Sequence, residues 1–111
     1  MKYKKALEYV DALLKKLEKK PDEAQAIPRV LLRKAKYQEA LGLYGGFQES
    51  VVKALEMRKA TSNTDLAYGV ALLDASYLYL IYSDIVTAEA YLNAAENILT
   101  NRISVGIDGA D

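Results

Sequence analysis

The chain has no cysteine and no histidine among its 111 residues. It can therefore form no disulfide, no thiolate or imidazole metal site, and no Ser–His or Cys–His nucleophile pair. A cysteine-free chain this short fits an intracellular, cytoplasmic setting better than a secreted one, where small domains lean on disulfides. An excess of one charge is lacking too, since 15 Lys and Arg balance 15 Asp and Glu. Long apolar runs are scarce. The most apolar stretch, Leu66 to Tyr82, is interrupted by Asp74 and Ser76, and as a helix it would reach only about 26 Å. It is expected to be a buried helix, and no membrane span is expected. The basic start, Met1 to Lys5, is followed by Glu8, Asp11, Lys15 and Lys16 instead of an apolar core, so no signal peptide is expected either.

What is present is a balanced globular composition, 51% hydrophobic and 27% charged. That is too apolar for intrinsic disorder. A chain of this length suits one compact domain with a radius of gyration of about 13 Å. We expect a single helical domain over residues 1–102 and a flexible tail over 103–111, where Gly106 and Gly109 stand.

Periodicity sets the fold class. Tyr3, Leu7, Val10, Leu14 and Leu17 are spaced 4, 3, 4 and 3, one stripe of a helix over 3–19 that ends before Pro21. Pro28 suits the first turn of a second helix, over 28–44, with Asp22 to Ile27 adding a kinked turn before it. Gly45-Gly46 is the strongest punctuation in the chain, and a third helix is expected over 47–60. Ser62 with Asp65 reads as a capping box that opens a fourth helix over 64–82, and Ser83-Asp84 offers the N-cap of a fifth over 84–101. No segment alternates with period two. The expected fold is all-α, about five helices with antiparallel neighbours.

In the last hairpin Leu72, Ala75, Ser76, Tyr79, Ala88, Leu92 and Ala95 place large and small residues where two antiparallel helices approach closely. Over residues 69–99 this pattern resembles the tetratricopeptide repeat, with Leu72 for its usual Trp, Ser76 for Gly and Thr100 for the closing Pro. The preceding hairpin has two registers three residues apart. Read from Leu41-Gly42-Leu43-Tyr44, it resembles the longer repeats of kinesin light chain and related bacterial regulators. Read with Gly45-Gly46 as the turn, Tyr37, Leu41, Phe47 and Ser50 take the packing places. The glycine-pair turn is preferred, because each glycine inside a helix costs about 1 kcal/mol relative to alanine. The resemblance, over about residues 28–99, implies helical hairpins stacked as a short TPR-like solenoid whose groove is lined by the first helix of each hairpin. The activity it implies is protein–protein interaction.

The residues themselves offer little catalytic chemistry. Asp65, Asp74, Asp84, Glu89 and Glu96 are not fixed in pairs across a cleft, and no glycine is followed by the Lys-Ser/Thr of a phosphate loop. An enzyme is not expected, and no cofactor or metal is implied. Charge is split along the chain: residues 1–60 hold 14 Lys and Arg against 8 Asp and Glu, and residues 61–111 hold 1 against 7. Lys spread over an amphipathic helix is mostly a solvated face, so nucleic acid is not the expected partner. Opposite ends suit stacking on a neighbouring repeat or a second copy. Arg29, Arg33 and Lys36 share one stripe of the second helix and could meet an acidic or carboxylate-ended ligand, or simply face water. Leu73, Tyr77 and Ile81, with Leu80, give the fourth helix a second apolar face beside Ala75, Tyr79 and Tyr82. That face either binds a protein or peptide partner, in a groove lined by helices two and four, or is covered by the first helix, the tail or another protomer in a structural or homodimeric bundle.

Overall fold

Helix α1, Lys2–Glu18, buries Val10, Leu14 and Leu17 from the stripe that the sequence predicts. The structure is a computed structural model and describes residues 2–61 and 66–110, with side chains described as far as Asn101. Pro21 then starts a 3-10 helix, Pro21–Ala26, which runs directly into α2, Ile27–Ala40. Proline suits both starts, because the N–H it lacks would have no partner in a first helical turn. Three further helices follow: α3, Tyr44–Thr61, α4, Leu66–Ile81, and α5, Ile85–Ala110. The protein is all-α, with five α-helices and no strand among the described residues. The Ser62–Asp65 capping box expected before α4 lies outside the described residues.

The chain divides into two compact units, Met1–Met57 and Arg58–Asp111. In the first, α1 packs on α2. Tyr3 meets Tyr37 with ring centroids 6.2 Å apart, and Lys34 Nζ lies 2.8 Å from Asp11 Oδ1. Leu31, Ala35, Phe47, Val51 and Ala54 are buried, all but Leu31 completely. In the second unit α4 packs on α5. Leu72, Ala75, Ser76, Tyr79, Ala88 and Ala95 are buried, all from the large-small pattern read in the sequence, while Leu92 is half-buried.

The turn between α2 and α3 is at Leu41-Gly42, which corrects the expected turn at Gly45-Gly46 and the helix bounds of 28–44 and 47–60. Gly42 has φ +78°, the left-handed conformation that L side chains avoid. Around it the Leu43 N–H donates to the Gln38 carbonyl at 2.8 Å and the Gly42 N–H to the Glu39 carbonyl at 3.0 Å. These are the two bonds of a Schellman stop, which satisfies carbonyls left free at the helix end. Gly45 and Gly46 instead lie in the first turn of α3. A Cβ on Gly46 would run into Gln38 Nε2, so that glycine provides a close approach and not a chain reversal.

Helix α4 ends in the same way. Ser83 has φ +72°, the Asp84 N–H donates to the Tyr79 carbonyl at 2.9 Å, and the Ser83 N–H to the Leu80 carbonyl at 3.0 Å. Gly42 and Ser83 are 41 residues apart, and other features keep that offset. Phe47 N–H donates to Leu43 O at 2.9 Å as Ala88 N–H does to Asp84 O at 3.0 Å. Gln38 is hydrogen-bonded to Ser50, and Tyr79 is ring-paired with Tyr91. The two hairpins thus repeat with a 41-residue period, the longer of the two registers read from the sequence. At the other end, the α5 backbone continues to Ala110, beyond the end expected near Arg102. An established helix adds a hydrogen bond with each residue, and Gly106 and Gly109 cost only about 1 kcal/mol each against that propagation.

Candidate interaction faces

By the 41-residue offset, only Lys36 and Tyr77 of the two predicted residue sets hold matching positions. Arg29, Arg33 and Lys36 on α2 correspond to Val70, Asp74 and Tyr77 on α4. Each set is described within its own unit. Arg29, Arg33 and Lys36 are all exposed, which agrees with a basic recognition stripe and equally with a solvated helix face. Leu73, Tyr77 and Ile81 are exposed too, at 43%, 59% and 43% of their full surface.

Sequence reasoning missed how far this face extends. Leu66, Val70 and Leu80 are also open to solvent, and with Leu73 and Tyr77 they repeat at spacings of 4, 3, 4 and 3. That is the seam spacing of a helix packed along a second helix. The signal was present in the sequence, but burial on the other side of α4 by Leu72, Ala75 and Tyr79 had to be known before the two apolar stripes could be told apart. Ile85 and Val86 at the start of α5 are exposed as well. A row of this kind exceeds the singly scattered apolar residues normal on a soluble surface.

The end of α4 is firmly built. Thr87 donates to both oxygens of Asp84, from its backbone N–H at 3.1 Å and its Oγ1 at 2.7 Å, so of the Ser83-Asp84 pair that the sequence offers, Asp84 is the N-cap. The side-chain hydrogen bond first, then the backbone one, holds the Asp84 carboxyl below the usual aspartate range, because both favour its charged form. Tyr79 lies 5.5 Å from Tyr91 and 6.0 Å from Tyr82 between ring centroids, the latter edge-on. Burial, with the nearby Tyr91, Asp84 and Tyr82, pushes the Tyr79 hydroxyl up to about 12. Burial also raises Tyr91, with Tyr68 adding to it.

The first unit has a groove of about 480 Å³ that sequence reasoning did not find, because three helices line it. Its floor includes Leu14, Ile27 and Leu31, and its rim carries Asp11, Glu18 and Glu49 among Lys15, Lys34 and Lys53. Alternating charges, with Lys34 already against Asp11, concentrate no field of one sign. Among the described residues no three His, Cys, Asp or Glu side chains come together as a metal site, and no helix is long and apolar enough to cross a membrane. In comparison with known proteins, the chain matches no family model, and no curated protein and no solved structure is significantly similar to it.

Proposed function

We propose that this chain is a non-enzymatic, intracellular protein-interaction module, a short TPR-like stack of helical hairpins that holds a helix or peptide of a partner protein. The observation that carries this reading is the exposed 4-3-4-3 apolar stripe on α4, from Leu66 to Leu80, with Leu73 at its middle and Tyr77, one turn on, 59% open. Apolar surface arranged at helix-packing spacing gains free energy when a complementary helix removes it from water. Leu73, Tyr77 and Ile81 are the apolar contacts in this reading, and Arg29, Arg33 and Lys36, exposed on α2, are basic contacts for acidic residues of the partner. The 41-residue recurrence of the hairpin turn supports the repeat character. Tyr is well suited to a central anchor, since it offers a large rigid ring and a polar tip.

The test is a photo-reactive amino acid placed at Tyr77 in the full chain, with a second at exposed Glu89 on α5 as control. A partner crosslinked from Tyr77 and not from Glu89, and lost in a folded Tyr77→Ala/Ile81→Ala variant, supports the reading. A double variant that is folded and retains every partner overturns it.

A further inference from the structure

We propose that a second copy of this chain occupies the α4 stripe, laying the outward side of its own α1 along it in a head-to-tail contact. The inference rests on the reading of α4 as a docking face and adds which partner the face takes. Two observations carry it. The first is that α1 has an outward side of matching character: Lys2, Lys5, Tyr9, Leu13 and Lys16 run along it at helical spacing and are all exposed, Tyr9 by 78% and Leu13 by 44%. This side lies away from Val10, Leu14 and Leu17, which are buried.

The second is charge. The unit Met1–Met57 holds 12 Lys and Arg against 8 Asp and Glu, whereas Arg58–Asp111 holds 3 against 7, so one is as positive as the other is negative. On α4 the single charge is Asp74, an exposed carboxylate beside Leu73 and one turn from Tyr77. A symmetric α4 pair would bring two net-negative units together, which disfavours it. A basic helix bearing Tyr9 and Leu13 between lysines offers the net-negative unit an opposite charge and the stripe an apolar row. Because the two surfaces differ, the contact is heterologous, and each added copy leaves one free face of each kind.

Sedimentation of the full chain over a wide concentration range tests this with two variants. Tyr77→Lys puts a cation on the stripe opposite a lysine-rich helix, and Tyr9→Glu puts an anion on α1 opposite the net-negative unit. The expected result is that the wild type grows beyond two chains and does so less as salt is raised, while each variant alone stays monomeric. An equimolar mixture of the variants should form a two-chain species that grows no further, since each contributes one intact face. Circular dichroism checks the fold, and Leu80→Lys, at a site 60% exposed, replaces Tyr77→Lys if that variant is unfolded. A wild type monomeric at every concentration, a Tyr9→Glu variant that associates as the wild type does, or a mixture that fails to pair would each overturn the proposal. A monomeric wild type whose Tyr77 still crosslinks a different protein would leave the proposed function standing, so the two failures are distinct.

Discussion

Ser50 on α3 donates a 2.7 Å hydrogen bond to the side-chain carbonyl of Gln38 on α2, in a place where Gln38 is only 8% exposed and Ser50 only 6%. The bond satisfies two buried polar groups at once and brings the Gln38 amide to the space above Gly46. In the second hairpin the same two positions hold Tyr79 and Tyr91, in ring contact. One geometry is thus filled by a polar pair in the first repeat and an aromatic pair in the second.

Neighbouring glycines should respond to alanine with opposite signs. Gly46→Ala displaces the Gln38 amide and its bond to Ser50, and is expected to cost about 1 to 3 kcal/mol. Gly45→Ala meets no atom within 4 Å, and should be neutral or stabilise by up to about 1 kcal/mol through helix propensity. Urea unfolding of the two variants checks the difference.

The two left-handed turn residues give a second reciprocal pair. Ser83→Gly should stabilise the second hairpin by about 1 kcal/mol, because it relieves the side-chain cost of φ +72°. Gly42→Ser, the reverse exchange at the matching turn, should cost about 1 to 2 kcal/mol. Thermal melts with unchanged midpoints for both would refute the shared turn geometry.

High pH should loosen the second hairpin through Tyr79. Its hydroxyl titrates near 12 in the fold against about 10 in an unfolded chain, so folding favours the protonated form. The associated stability is fully present below about pH 10 and is lost as pH rises from there through about 12. Chemical denaturation of Tyr79→Phe should show a shallower loss than the wild type across that window, and identical slopes would exclude the effect.

Truncations on the two sides of α4 should separate packing from recognition. Leu72 is 3% exposed, and Leu72→Ala is expected to cost about 2 to 5 kcal/mol. Tyr77→Ala and Ile81→Ala should change stability by about 0.5 kcal/mol or less each, yet weaken partner binding by about 1 kcal/mol or more. Calorimetric melting and titration with the crosslinked partner measure the two quantities independently.

Growth of the small residue at position 88 tests the α4–α5 packing. Ala88 is 5% exposed and Glu89 beside it is open. Ala88→Leu is expected to cost about 1 to 3 kcal/mol by overpacking, against about 0.5 kcal/mol or less for Glu89→Leu. Equal melting temperatures for the two would show that the helices do not approach at Ala88.

The sequence by itself determined the number and type of elements, the buried row Val10, Leu14 and Leu17, the large-small pattern of the last hairpin and the cap at Ser83-Asp84. Each depends on spacing or chemistry within a few residues, and a 3.6-residue period or an N-cap is complete in such a window. Tertiary structure decided the turn at Gly42. Gly42 and the Gly45-Gly46 pair both read locally as helix stops, and the choice came from Gln38, whose amide needs the space beside Gly46 and whose partner Ser50 lies a helix away. It also decided which side of α4 is covered. Leu72 and Leu73 are adjacent and equally apolar, yet one is 3% and the other 43% exposed. Only the position of the neighbouring helices distinguishes them, since hydrophobicity says that a residue seeks cover without saying which neighbour supplies it.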